Sequence, residues 1–219
     1  MGIEIPQNKF LILDGAMGTV LQQRGLSPQG RPELLNLTEP ELLDSVYKEY
    51  IAAGSQVIYA NTFGANGLKL AKTGHSVEEV VGAAIAVAKK AAAGTGTLVA
   101  LDVGPLGELL EPMGTLSFER AYDLFREMAE AGAKAGADLI VVETMTDLYE
   151  AKAALLAAKE AAHLPVFVTM SFDAGGRTFT GCTVASMART LEGLGADAIG
   201  LNCSLGPDLP APPAGHCQA

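Results

Sequence analysis

Short apolar runs bounded by turn residues recur along this chain near 10–14 (FLILD), 56–60 (QVIYA), 97–102 (TLVALD), 138–143 (DLIVVE), 165–170 (PVFVTM) and 197–202 (DAIGLN). A run of this kind marks a strand buried on both faces. Longer segments with helical spacing lie between them, near 39–53, 76–93, 117–135, 147–162 and 184–194. The ends of these segments carry chemical punctuation. Thr38-Glu-Pro-Glu41 and Ser76-Val-Glu-Glu79 read as capping boxes, Asp147-Leu-Tyr-Glu150 as a similar start using Asp, and Gly54, Gly136 and Gly195 suit the left-handed position that ends a helix.

Strict alternation of strand and helix predicts a parallel sheet with helical crossovers. A doubly wound sheet and a (β/α)8 TIM-type barrel both satisfy it. Three features favour the barrel. Polar residues follow nearly every strand: Asp14, Asn61, Asp102, Glu143, Ser171 and Asn202. The loops 61–75 and 103–116 are long and glycine-rich. No dinucleotide or P-loop glycine pattern follows the first strand. Only six strand runs are visible, so the expectation is a barrel truncated after about six β/α units, where the complete fold has eight. Residues 1–207 form that incomplete barrel in this reading. The Pro-rich segment 208–219 is an irregular tail, unable to sustain strand or helix. An incomplete barrel would also leave sheet edges uncovered.

One ten-residue pattern occurs three times: AGSQVIYANT at 53–62, AGADLIVVET at 135–144 and LGADAIGLNC at 194–203. Each copy ends in an abrupt polar pair after four mostly apolar residues. In a parallel barrel the strand C-termini form the active-site face. Asn61, Glu143 and Cys203 are therefore candidates to share one mouth.

Composition narrows the class. The chain has 219 residues, 49% hydrophobic and 18% charged, enough for one domain with a real core and too apolar for disorder. The net charge of -10, without a dense Lys/Arg cluster, argues against a nucleic-acid or anionic-membrane partner. No apolar run is long enough to span a bilayer, and the start lacks signal-peptide features, so a cytoplasmic location is expected. The three cysteines, Cys182, Cys203 and Cys217, are widely spaced and odd in number, unlike a disulfide framework.

Several residues carry candidate chemistry. Cys203, at a strand end, reads as a nucleophile or metal ligand, or as an inert buried thiol. Glu143 follows four apolar residues, where a carboxylate is costly unless paired or facing a wet pocket. It can hold an ammonium group or act in proton transfer, and the helix-capping role already suits Asp147. Asp14, Gly15, Ala16, Met17 and Gly18 follow the first strand, where glycine lets backbone amides approach an anion; a ligand-free tight turn is the alternative. Asn61 and Thr62, and Asp102 through Pro105, either orient a ligand or satisfy loop backbone. His75 and His163 have no ligand-like spacing with a cysteine, and His216-Cys217 sits in the tail. Met113, Met128 and Met145 read as packing.

Taken together, residues 13–19 (LDGAMGT), 32–37 (PELLNL), 61–65 (NTFGA), 102–105 (DVGP), 142–144 (VET) and 200–204 (GLNCS) resemble the homocysteine S-methyltransferase family. The likeness is greatest to the homocysteine-binding module of cobalamin-dependent methionine synthase, and it runs in order from about residue 10 to 207. The resemblance implies a (β/α)8 barrel that methylates a zinc-bound homocysteine thiolate to give methionine. Zinc lowers the thiol's pKa and so supplies the nucleophile. It further implies methylcobalamin as the donor on another module, with cobalamin- and folate-binding modules as partners.

By the same resemblance Cys203 matches a zinc cysteine and Glu143 the carboxylate that holds the substrate's amino group. Residues 14–19 match the loop whose amides face the substrate carboxylate, and Asn61, Thr62, Asn202 and Ser204 complete the substrate-binding set. The family's other two zinc cysteines, in a Gly-Gly-Cys-Cys-Gly segment, have no counterpart here. Impaired zinc binding is therefore expected, and an inactive truncated product or interaction module of the same fold is the alternative. No strand-end lysine supports a Schiff-base aldolase on a related barrel.

Overall fold

Five of the six apolar runs become strands of one parallel sheet: β1 Val57–Tyr59, β2 Leu98–Val103, β3 Leu139–Met145, β4 Val166–Met170 and β5 Ala198–Leu201. The computed structural model describes residues 10–27 and 30–204. The expected tail, with His216 and Cys217, lies outside the described residues. The helices are α1 Met17–Gln23, α2 Leu35–Thr38, α3 Pro40–Ala52, α4 Gly67–Leu70, α5 Val77–Ala92, α6 Phe118–Ala135, α7 Leu148–Ala162 and α8 Val184–Gly193, with a 3-10 turn at Pro32–Leu34.

Residues 10–14, read as the first strand, pair too briefly to count as one. Leu13 bridges Val57 in parallel, and the Gln56 and Val57 amides donate to the Ile12 carbonyl. The run nevertheless occupies the strand position beside β1.

The sheet order is β1-β2-β3-β4-β5, identical to chain order and parallel throughout. A doubly wound sheet must reverse its order at a switch point. Here the order never reverses, so every crossover helix falls on the same side. In sequence, α3 packs on β1, α5 and α6 on β2, α7 on β3 and β4, and α8 on β5. That is the winding of a TIM-type barrel, of which the described residues supply six consecutive strand positions.

Strand residues therefore split by period two. One set, with Ile58, Val99, Leu101, Ile140, Val142, Val168 and Met170, joins the helices in the large core. The other, Val57, Ala100, Leu139, Val141 and Phe167, makes a separate small cluster on the inner face. Continuing that inner set toward the strand C-termini reaches Tyr59, Asp102, Glu143, Thr169 and Asn202, so the alternation itself delivers polar groups to one rim.

Helix ends mostly follow the expected chemistry. Ser76, Ser117 and Asp147 accept first-turn amides, and Gly54, Gly136 and Gly195 have positive φ of 107°, 93° and 84°. Two expectations fail. Thr38 does not cap α3. It ends α2, and its hydroxyl donates back to the Leu34 carbonyl, so Glu39 takes the cap position. Glu150 does not serve the start of α7. Its buried carboxylate accepts the Leu106 amide at 2.8 Å and ties down the loop after β2. Met128 and Met145 are packed as expected, whereas Met113 is exposed on that same loop. No helix among the described residues is long and apolar enough to cross a membrane.

The outermost positions of the sheet are less well covered. Ile12 is 53% exposed at one edge and Leu201 44% at the other. Between the edges packing is tight. A Cβ added to Gly132 of α6 would lie 2.7 Å from Cδ2 of the fully buried Leu101 on β2. Gly132→Val is expected to lower stability by about 1–3 kcal/mol through overpacking. Urea unfolding measures this, and wild-type stability in the variant would refute the tight α6–β2 contact.

Candidate active site

The ends of β3, β4 and β5 are joined by one side chain. The Asn202 amide group donates to Glu143 Oε2 at 3.1 Å and to Thr144 Oγ1 at 2.8 Å. Its carbonyl oxygen accepts from the Thr144 backbone amide at 3.1 Å and the Thr169 hydroxyl at 2.9 Å. The Asn202 backbone carbonyl takes the hydroxyls of Ser171 and Ser204, each at 2.9 Å. A register shift in β3 between Val142 and Met145, with Thr144 at φ 60°, turns this strand end toward β5. Cys203 follows at φ 46°, exposed, with Sγ 3.7 Å from the Asn202 amide nitrogen. It is not an inert buried thiol.

Three carboxylates share the inner rim. Asp14 accepts the Tyr59 amide at 2.8 Å, which fixes the loop after residues 10–14 to the end of β1. Burial, reinforced by the negative charge of Glu143, pushes its carboxyl up to about 7 despite that hydrogen bond. Burial raises Glu143. Asp102 is raised well above the ordinary range, by burial first and then by the charges of Glu143, Asp14, Glu33 and Cys203. Among the described residues no Lys, Arg or His forms an ion pair with any of the three. Tyr59 sits among them, its phenol raised by burial and by all three charges. The result is an acidic bowl without a counter-ion among the described residues.

Other expected residues go elsewhere. The Asn61 amide group donates to the Pro32 carbonyl at 2.6 Å, while its backbone is held by Asn36 and the Tyr47 hydroxyl. The Thr62 hydroxyl donates to the Asp102 carbonyl at 2.7 Å and accepts the Asp102 amide at 3.0 Å. Both side chains thus serve main-chain groups, Asn61 at the 3-10 turn and Thr62 on β2. Gly15 has a packing reason, since a Cβ there would meet the Tyr50 ring and hydroxyl at 3.0 Å. Before Gly18 there is open space. Ala16 and Met17 stand at the start of α1 beside it. Ser204 receives the Phe172 amide at 2.9 Å and shapes the loop after β4. The Cys182 thiol, raised by burial, donates to the Thr183 carbonyl, far along the chain from Cys203.

Sequence reasoning overlooked Tyr59 and Thr169. Period two, applied backwards from Asn61 and forwards from Phe167, finds both.

Known proteins resemble this chain along most of its length. A family model described as homocysteine S-methyltransferase matches residues 11–213. Methionine synthase of Mycobacterium tuberculosis is 32% identical over 94% of this chain, and that of Mycobacterium leprae is likewise 32% identical over 94%. The chain spans about a fifth of these proteins, 19% and 18% of their lengths. The metallated form of the homocysteine methyltransferase MmuM from Escherichia coli superposes with a TM-score of 0.78 at 26% identity, over 90% of this chain and 75% of that one.

The titration of the bowl has a defined sign. Asp14 moves from 3.8 to about 7 on folding, so the folded protein binds that proton more tightly. Its contribution to stability is full below about pH 4 and is lost as pH rises toward 7. Asp14→Asn keeps an acceptor for the Tyr59 amide and is expected to flatten this decline. Urea unfolding at pH 5 and pH 7.5 compares the two proteins, and equal pH dependence would refute the raised value.

Proposed function

The chain belongs to the homocysteine S-methyltransferase family, and on that footing we propose that its acidic bowl binds homocysteine and presents the thiol for methylation to methionine. One observation carries the reading: Glu143, Asn202 and Cys203 form a single hydrogen-bonded unit at the ends of β3 and β5. An α-amino thiol has complementary chemistry. Its ammonium supplies the positive charge that Glu143 and its neighbours lack. Its carboxylate is received by backbone amides beside Gly18, where a Cβ would meet open space. The substrate sulfur then lies on the Cys203 side of the rim.

The family resemblance also implies zinc, which when bound would convert the substrate thiol to a thiolate. A zinc site of this type takes three protein ligands and leaves a position for substrate. At this rim the described residues offer Cys203 as a single thiol, and they contain no group of three His, Cys, Asp or Glu placed to hold a metal ion. Asp14 and Glu143 are engaged with the Tyr59 amide and the Asn202 amide group instead. This donor set does not fit zinc, so no step here passes through a metal. The same mismatch favours a second reading, in which the chain is a homocysteine-binding unit that does not turn over by itself.

The methyl donor in this proposal is methylcobalamin on another module, with cobalamin- and folate-binding modules as partners in a cytoplasmic protein. Support comes from the matched methionine synthases, of which the chain spans about a fifth.

Calorimetric titration of the purified chain with L-homocysteine, with and without zinc, tests both readings. Binding is expected, with zinc changing it by less than about tenfold, and Glu143→Gln is expected to weaken it at least about tenfold by removing a charge-assisted contact. No binding under either condition overturns the homocysteine reading. Stoichiometric zinc with strongly zinc-dependent affinity overturns the conclusion about the donor set.

A further inference from the structure

Among the described residues, the buried side chains with an unpaired polar atom are Asn36, Asp44, Asn66 and Asp102. Three of them make a hydrogen bond with their other atoms. Asn36 donates to Glu33 and Asn61 carbonyls, Asp44 accepts from Lys48, and Asn66 accepts the Lys69 amide. Asp102 differs. It is 7% exposed, its Oδ1 is enclosed without a partner, and no described residue hydrogen-bonds to its carboxyl group. Its backbone, by contrast, is clamped on both sides by the Thr62 hydroxyl. The side chain is thus held at a fixed place with its acceptor capacity unused.

That place is the inner rim. Asp102 follows Leu98 and Ala100 on the inner face of β2, where it feels the charges of Glu143, Asp14, Glu33 and Cys203, while Tyr59 and Tyr47 feel its own. An isolated buried carboxylate is costly, and the cost persists unless a donor arrives. None of the described cations pairs with it. A ligand that brings several N–H donors and a positive charge would satisfy Asp102 and Glu143 at once.

We propose that Asp102 is a second ammonium-binding carboxylate, which acts with Glu143 to select substrates carrying a free amino group. This deepens the homocysteine reading and rests on it. The site accordingly discriminates against thiols of the same length that lack the amine. Asp102 is also a burden on the empty protein, so removing its charge improves folding while weakening recognition. A purely structural residue would do the reverse.

The experiment compares L-homocysteine with 4-mercaptobutyrate, its desamino analogue, by calorimetry on wild type and Asp102→Asn. Wild type is expected to prefer homocysteine by at least about tenfold. D102N is expected to lose most of that preference, to bind 4-mercaptobutyrate no more weakly than wild type does, and to melt at a higher temperature. If D102N does not fold, Asp102→Ser carries the same comparison. A preserved preference in a folded variant overturns the Asp102 assignment alone. Equal affinity of wild type for the two thiols overturns it too. Wild type that binds neither thiol overturns the homocysteine reading as well.

Discussion

Asn202 is the joint on which the rim depends. Parallel strands hydrogen-bond along their length, but beyond the last ladder pair their ends diverge and each backbone group needs another partner. Asn202 supplies such partners from a single residue. Its side-chain amide faces the Thr144 backbone and the Glu143, Thr144 and Thr169 side chains, and its backbone carbonyl takes two serine hydroxyls. An Asp could accept but not donate to Glu143, and a Gln would move the amide one carbon further out. The shape of this rim therefore follows from an amide at that distance. The positive φ of Thr144 and Cys203 on either side fits the same account, because local strain persists only where surrounding bonds over-determine it.

Carboxylates gathered without a counter-ion are the complement of that rigid joint. Buried charges in proteins are ordinarily paired. Cations are available in this chain but are spent elsewhere. Lys89 pairs with Asp138 and Lys159 with Asp197 at the opposite ends of the strands, where those aspartates also accept the amides of Val99 and Val166. Lys69 donates to the Pro105 carbonyl and steadies the loop after β2. The strand N-termini are thus neutralised and the C-termini are not. Such an imbalance lowers the stability of the empty bowl above about pH 4 and leaves it receptive to an ammonium group.

Much of this was legible in the sequence because it follows from periodicity. Four apolar residues followed by a polar pair fix a strand end. The repeat singles out Glu143 and Cys203 in this way, and Asn202 does bring the two together. That reasoning fails for Asn61, which occupies the equivalent position in its own repeat, because Pro32 offers a carbonyl nearby and the side chain turns to it. Nothing local to residues 53–62 contains that information. Thr38 shows the same limit at a helix end, since its hydroxyl could accept an amide of α3 or donate to the preceding turn, and in the fold it donates to the Leu34 carbonyl. Glu150 looked like half of a capping box, and its actual partner, Leu106, is 44 residues away.

The single rim thiol and the exposed edge of the sheet are one physical matter. Cys203 lies just past β5, and β5 is the last strand in the sheet order among the described residues. Its side chains Ile199 and Leu201, which alternate toward the helix layer, are 38% and 44% exposed, whereas their β4 counterparts Val168 and Met170 are fully buried. A polypeptide that paired with the free edge of β5 in the parallel sense would run past Cys203 with its own strand C-terminus, at the spacing of adjacent strands, roughly 4.8 Å away. Any residue at that terminus would stand beside the thiol and Asn202. Soft donors brought there would convert one thiolate into a metal site, and apolar residues behind them would cover Ile199 and Leu201. The same segment would perform both tasks, so metal affinity and closure of the β5 edge must rise or fall together.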